Sequence, residues 1–405
     1  MPENIRIGII RETKIPPDKR TAITPIYAGE VIKRFPYIKL FVQPGQLRCF
    51  RDSEYARYGT EIKEDLSACD ILVGVKEVDI SALIPGKTYL FFAHVGKEQP
   101  YNRDLLLAIL DKRIRLIDYE YITDKEGQRL IAFGRWAGIV GAYNGLRGWG
   151  LRTGDYKLKP AHQCRDYEEM KGQLSNIKLN NSRILITGGG RVAWGAVETL
   201  SKSGIREVSH DDYLEKDFNE PVFCRIDPWH YAERIDGRDF MIQHFFDNPS
   251  LYKSKFKPYT RKTDIYIAAH FWDPESPRMF ELNEMDEKDF RISMIADISC
   301  DINGSVPSTM RASTIDEPFY GFDPQTKREC KPFKPLPSLT MMTVDNLPGE
   351  LPRDASEDFA EILVRDIIPK LIGPDPDGVI ERATITENGK LKESFAYLKN
   401  YAEGK

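Results

Sequence analysis

Short apolar runs alternate with helix-spaced apolar positions over residues 1–130. Ile5-Arg-Ile-Gly-Ile-Ile10, Ile38–Val42, Ile71–Val75, Tyr89–Phe92 and Arg115–Ile117 read as strands, while Ala28–Phe35 and Arg103–Lys112 carry apolar residues at helical spacing. This rhythm predicts a parallel sheet covered by helices. Ala137–Leu151 predicts a glycine-spiced apolar helix, and the polar stretch over 157–181 a connection. A second α/β unit follows, with a strand over Arg183–Thr187, a glycine-rich turn over 188–195, a helix over Val197–Ser203 and a strand over 206–208. Further strands are expected at Asp264–Ala269 and Ser293–Asp297, and a loop rich in Pro, Ser, Thr and Lys over 305–340. Ser356–Leu371 returns to helical spacing through Phe359, Ile362, Leu363, Ile367 and Ile368, with Ser356 as its candidate N-cap. A strand-turn-helix tail closes the chain over 380–401.

Composition narrows the function classes more than it names one. The 405 residues are 41% hydrophobic and 30% charged, an ordinary globular balance that predicts about two or three domains. A net charge of −4 provides no basic field for nucleic acid or an anionic membrane. The cysteines at 49, 69, 164, 224, 300 and 330 stand singly, which argues against a disulfide framework and against structural zinc. No stretch approaches the roughly 18 apolar residues of a membrane span, and Met1 runs almost directly into the first strand. The expectation is a cytoplasmic protein with reduced thiols and no metal site, whose function sits in a local site.

The candidate chemistry starts at Gly188-Gly-Gly190-Arg-Val-Ala193-Trp-Gly195, where a G-x-G-x-x-A spacing follows a strand and opens a helix. In a dinucleotide turn the first glycine allows the bend, the second lets backbone approach the pyrophosphate, and the helix N-terminus offers unpaired N–H groups. An acidic residue about 20 positions on should take the ribose hydroxyls, and Asp211 lies 211 − 188 = 23 residues beyond Gly188. That favours NAD(H), with NADP(H) left open by the neighbouring His210 and Asp212 and by the bulky Trp194. A glycine turn that only packs helix on sheet is the alternative.

Two titratable positions end strands of the first unit: Lys76-Glu77 after Ile71–Val75, and His94 after Phe91-Phe-Ala. Open α/β sheets build their sites at such strand ends, and a lysine beside apolar strand ends has its pKa lowered toward general-base range. Each also reads as ordinary surface or structural residues. Arg20, just before a helix start, is placed to clamp a carboxylate or to serve as a surface charge. Asp301 follows the strand Met294–Ile298 and reads equally as a turn residue before Asn303-Gly304.

Taken together, Arg11-Glu-Thr-Lys14, Arg20-Thr-Ala-Ile-Thr-Pro25, Val75-Lys76-Glu77, Phe92-Ala-His94 and the glycine loop resemble the alanine dehydrogenase and transhydrogenase N-terminal family. Leu116-Ile-Asp-Tyr-Glu120, Ala132-Phe-Gly-Arg-Trp-Ala-Gly138, Val344-Asp-Asn-Leu-Pro348 and Leu351-Pro-Arg-Asp-Ala-Ser356 are more similar to its lysine-forming saccharopine dehydrogenase and lysine-ketoglutarate reductase group. The resemblance implies two Rossmann-like, doubly wound domains separated by a cleft. The catalytic domain would comprise 1–136 plus 346–405, and the dinucleotide domain 137–345. It implies NAD(P)-dependent interconversion of saccharopine with L-lysine and 2-oxoglutarate, Lys76 and His94 being the acid-base pair and Glu77 and Glu120 their tuning carboxylates. Arg20, with Arg11 and Lys14 as further cations, would bind substrate carboxylates, and Arg129 and Phe133 would line the cleft. Gly188, Gly190, Arg191, Ala193, Asp211, Asp301, Asp345, Asn346 and Leu347 would hold the cofactor. The group's usual Gly-Arg-Cys-Gly-Ser-Gly turn is Gly190-Arg-Val-Ala-Trp-Gly195 here, which leaves room for a changed cofactor preference. An alanine dehydrogenase-like enzyme and a non-catalytic NAD(H)-binding module stand as rival readings, and the oligomeric state is open.

Overall fold

The computed structural model describes residues 4–404. Its strands, in chain order, are β1 (Ile5–Ile9), β2 (Ile38–Val42), β3 (Glu61–Ile62), β4 (Ile71–Val73), β5 (Thr88–Phe91), β6 (Arg115–Asp118), β7 (Arg183–Thr187), β8 (Arg206–Glu207), β9 (Val222–Ile226), β10 (Ala232–Arg234), β11 (Tyr252–Ser254), β12 (Ile265–Ala268), β13 (Met294–Asp297), β14 (Phe319–Asp323), β15 (Arg328–Cys330), β16 (Leu339–Met342), β17 (Thr384–Glu387) and β18 (Lys390–Leu391). The chain divides into two compact units, Met1–Phe133 with Pro352–Lys405, and Gly134–Leu351. The second unit opens three residues before the expected border, because the helix Gly134–Thr153 starts there.

The first unit holds an eight-stranded sheet in the order β18-β17-β6-β5-β4-β1-β2-β3. The run from β6 to β3 is parallel, and β17 and β18 add an antiparallel margin. The central strands read as continuous apolar runs because both faces are covered; Ile7, Ile9, Leu72, Leu90 and Ile117 are fully buried. The C-terminal helix begins at Pro352, four residues before the expected N-cap, and Ser356 lies inside it, where its hydroxyl accepts the Thr21 N–H at 2.9 Å. A π-helical turn over Leu363–Ile367 follows.

The second unit carries the order β15-β14-β16-β13-β12-β7-β9-β8, parallel from β16 to β8. The Gly134–Thr153 helix is buried nearly all round its N-terminal half because glycine lets it lie directly on the helix Arg191–Lys202. A Cβ on Gly138 would fall onto the Val192 carbonyl, and one on Gly195 onto the Arg135 carbonyl. Gly195 therefore fixes helix packing, and the turn preceding that helix is shorter than the 188–195 segment expected. Among the described residues, no helix is long and apolar enough to cross a membrane.

Candidate functional site

Parallel pairing sets the carboxyl ends of β6, β5, β4 and β1 side by side. The residues that follow these four ends are Asp118 to Glu120, Phe92 to His94, Lys76-Glu77, and Arg11-Glu12. A single edge of one sheet thus gathers the acid-base candidates with Arg11 and Glu12, although the whole set is spread from position 11 to position 120 of the sequence.

Glu77 sits at the centre of this edge. Its Oε1 lies 2.7 Å from His94 Nδ1, and its Oε2 accepts from Lys14 Nζ at 2.8 Å. Burial pushes the Glu77 carboxyl up, but the His94 and Lys14 hydrogen bonds outweigh it and bring it to about 2, so it is ionised. An ionised carboxylate takes the Nδ1–H of His94 and leaves Nε2 as the outward-facing nitrogen. The His94 backbone is left-handed, with φ of 53°, a conformation that a non-glycine residue adopts at a cost and that clusters at functional sites. Lys76 has its pKa lowered, by burial first and by the neighbouring Arg20 next, with Asp18 opposing.

Glu120 accepts from Arg129 at 2.6 Å and pairs with Lys97 at 3.2 Å. Burial raises its pKa, but these cations more than offset that and keep it below the usual range. Asp118, at the end of β6, accepts the N–H groups of Ala93 and Glu120 at 3.0 and 2.8 Å, holding the two strand ends in place. Its burial pushes it up to about 6.

Two carboxylates that the sequence did not single out complete the edge. Glu12 accepts the Val75 and Lys76 N–H groups at 2.7 and 2.8 Å, so it fixes the backbone that presents Lys76. Burial raises it to about 7 against those two hydrogen bonds. Asp18 takes Arg20 in a fork, Nε to Oδ1 at 3.0 Å and Nη2 to Oδ2 at 2.6 Å. Both lie in charged stretches that resemble solvated surface, and only the fold reveals their partners.

The raised Glu12 carries a pH signature. Its folded value of about 7 exceeds the ordinary 4.5, so the folded state holds the extra proton between those values and its contribution to stability is lost as pH rises through that window. Glu12→Gln is expected to flatten the fall in unfolding free energy between pH 5 and 8, as read by urea titration. Equal slopes in variant and wild type would contradict the assignment.

The expected cationic cluster is neutralised within the unit. Arg11 pairs with Glu64, Lys14 with Glu77, and Arg20 with Asp18. Arg20 is therefore no simple exposed clamp: it is 3% exposed, and its guanidinium also lies 4.2 Å over the Phe133 ring. Phe133 does not line open space; it stacks on Phe359 at 4.4 Å and packs in an aromatic cluster with Phe92. Arg129, about half exposed, remains outermost. A cavity of about 500 Å3 in this unit is walled by Arg11, Glu12, Asp18, Arg20, Arg48 and Glu64, so it presents both charge signs.

In the second unit the glycine turn has dinucleotide-binding geometry. Gly188 has φ of 120°, and a Cβ there would meet the Ala269 carbonyl oxygen at 2.6 Å. Gly190 caps the helix that Arg191 opens and has open space where its Cβ would be, as close approach of a pyrophosphate to the backbone requires. Ala193 is buried in the first turns of that helix. These residues fit a dinucleotide.

Asp211 does not lie at the end of a strand next to β7. It lies in a short helix, His210–Glu215, with its side chain 73% exposed. The strand before it, β8, is the outer edge of the sheet, and β7 lies between β12 and β9. The carboxylate at the end of β9 is Asp227, which stands 2.7 Å from where a Gly189 Cβ would be. Asp301 likewise falls four residues past the end of β13, in a turn where its carbonyl accepts the Gly304 N–H at 2.9 Å. The strand itself ends on the buried Asp297, which accepts from Thr309 and Ser299. Asp345 is exposed, Asn346 starts a short helical turn, and Leu347 is buried against Gly141, so Leu347 is a packing residue.

Each unit thus carries an eight-stranded, mainly parallel sheet, one with a glycine turn before a helix and the other with titratable groups gathered at its strand ends. The structure resembles a solved L-alanine dehydrogenase with a TM-score of 0.65 at 14% identity, covering 97% of this chain and 99% of the other. Residues 8–140 match the family described as alanine dehydrogenase/PNT, N-terminal domain. In sequence the chain is 28% identical to the alpha-aminoadipic semialdehyde synthase of Arabidopsis thaliana over 97% of its own length, but it spans only 41% of that relative. It is 25% identical to the saccharopine dehydrogenase [NAD(+), L-lysine-forming] of Neurospora crassa, covering 88% of this chain and 87% of the relative. Residues 8–140 thus match the alanine dehydrogenase/PNT N-terminal domain model, and most of the chain is similar in sequence to saccharopine dehydrogenases and to part of the alpha-aminoadipic semialdehyde synthases.

Proposed function

We propose that this chain is an NAD(P)-dependent oxidoreductase that interconverts saccharopine with L-lysine and 2-oxoglutarate. The observation that carries this reading is the Lys14–Glu77–His94 hydrogen-bonded chain beside a lysine of lowered pKa, all on one sheet edge. A bound nicotinamide dinucleotide supplies the hydride acceptor. Lys76, with its ammonium disfavoured by burial, takes a proton from the secondary amine as the C–H hydride departs and the imine forms. His94, oriented by Glu77, then takes a proton from water through Nε2 as the water adds to the imine carbon and passes it to nitrogen; the carbinolamine hydroxyl proton follows by the same route as the C–N bond breaks. Lysine and 2-oxoglutarate result, and reversing the same proton transfers runs the condensation.

The substrate suits the charges present. Saccharopine bears several carboxylates and two amino groups, and the cavity beside Glu12 alternates arginines with acids. A single-methyl substrate needs a small apolar pocket, which this wall does not provide. Oxidation of NADH or NADPH by a mixture of lysine and 2-oxoglutarate, followed by nicotinamide absorbance, tests the reading; oxidation only by pyruvate with ammonium would transfer it to an alanine dehydrogenase-like activity.

A further inference from the structure

The end of β9 carries a second charged side chain on the same face as Asp227, two residues earlier. Arg225 donates from Nη1 to Asp227 Oδ1 at 2.6 Å and from Nη2 to Oδ2 at 3.0 Å. Its Nη1 also donates to the Gly188 carbonyl at 3.0 Å, which ties the guanidinium to the first glycine of the turn. Trp194, one helical turn into the helix that Gly190 caps, covers Arg225 with its ring centroid 4.8 Å from Cζ. The indole is about half exposed, whereas the Arg225 and Asp227 side chains are mostly covered.

A carboxylate at this place in a Rossmann turn binds the ribose hydroxyls and repels a 2′-phosphate, which is how such sites select NAD(H), and a nearby arginine accommodates the phosphate. Here the two are coupled in one fork. We infer that Arg225, held between Trp194 and Asp227, is a specificity-determining residue that cancels the selectivity of Asp227, so the turn accepts a dinucleotide with or without a 2′-phosphate. The inference rests on the dehydrogenase reading above. The guanidinium is planar and remains charged, and it has further N–H donors for a phosphate once Asp227 turns to the ribose. Trp194, bulky at a position that glycine-rich turns leave small, thereby has a role: its face holds the guanidinium at the mouth of the turn.

Equilibrium titration of NADH and NADPH, read by the change in nicotinamide fluorescence on binding, tests this without turnover. The wild-type chain is expected to bind the two within about tenfold of each other. Arg225→Met is expected to weaken NADPH relative to NADH by about tenfold to 100-fold, the worth of one charge-assisted hydrogen bond. Asp227→Asn, which keeps the shape and removes the negative charge, should move the ratio the opposite way, toward NADPH, and covers the case in which the methionine variant fails to fold. A wild-type preference for NADH above 100-fold, or a ratio unchanged in Asp227→Asn, overturns the inference while leaving the dehydrogenase reading intact. Binding of neither dinucleotide by the wild-type chain overturns that reading and the inference with it.

Discussion

Lys76→Met is expected to lower turnover of lysine and 2-oxoglutarate by at least about 10²-fold, the scale of one acid-base group. Methionine is close to lysine in length and apolar character, so the packing at the end of β4 is preserved and only the titrating nitrogen is lost. Nicotinamide dinucleotide binding, which we assign to the glycine turn of the other unit, should stay within a few-fold of wild type, so the loss falls on kcat. The pH profile adds a second readout. Because burial and Arg20 lower the Lys76 pKa, the neutral base is populated at lower pH than for a solvated lysine, and oxidation of saccharopine should climb on an alkaline limb displaced downward from the ordinary lysine range. Lys76→Met should abolish that limb. His94→Gln should impair turnover as well while leaving it in place, since the limb reports the Lys76 amine and His94 acts through its own ring nitrogen. Wild-type rates in both variants would remove the acid-base pair from the mechanism.

Much of this edge is legible in the sequence. Lys76, Glu77, His94 and Glu120 each follow an apolar run of strand length, and in a parallel sheet the residues after such runs share one edge wherever the strands are neighbours. The glycine turn was legible for the same reason, because strand, bend and helix are consecutive in the chain. Asp227 was not. A spacing rule counts residues, whereas the strand order decides which carboxylate ends a strand next to β7; β8 and the His210–Glu215 helix intervene, so the carboxylate at the end of β9 arrives 227 − 188 = 39 residues after Gly188. Glu12 escaped notice because its ligands are backbone N–H groups of another strand, which no side-chain pattern encodes. Arg20 and Phe133 were recognised as residues of the site, but their relation was invisible: the arginine is buried on the ring and forked by Asp18, which turns two apparent ligand contacts into framework.

That framework makes Asp18→Asn the substitution with the largest expected effect on stability. Asp18 and Arg20 are 4% and 3% exposed, and the pair is joined through both guanidinium edges that face the carboxylate. Removing one partner of a buried pair leaves the other charge poorly compensated, at a cost of about 3–5 kcal/mol. Asparagine keeps the volume and one acceptor, so the loss reports charge more than packing. Burial alone would push the Asp18 carboxyl up, but the Arg20 charge and hydrogen bonds outweigh it and hold it well below the usual carboxylate range. A lowered folded-state pKa means that the stabilisation is present above the unfolded value of about 3.9 and is lost as pH falls through the folded value. The deficit of Asp18→Asn should therefore be full at neutral pH and shrink under acid, measured as the difference in urea midpoints of variant and wild type. Lys76 feels the same change, because Asp18 opposes the lowering of its pKa. Without that carboxylate the lysine loses its proton at still lower pH, and the alkaline limb of saccharopine oxidation moves further down. A variant with wild-type stability at neutral pH would show that Arg20 draws its compensation from another group, and an unmoved limb would show that Asp18 does not act on Lys76.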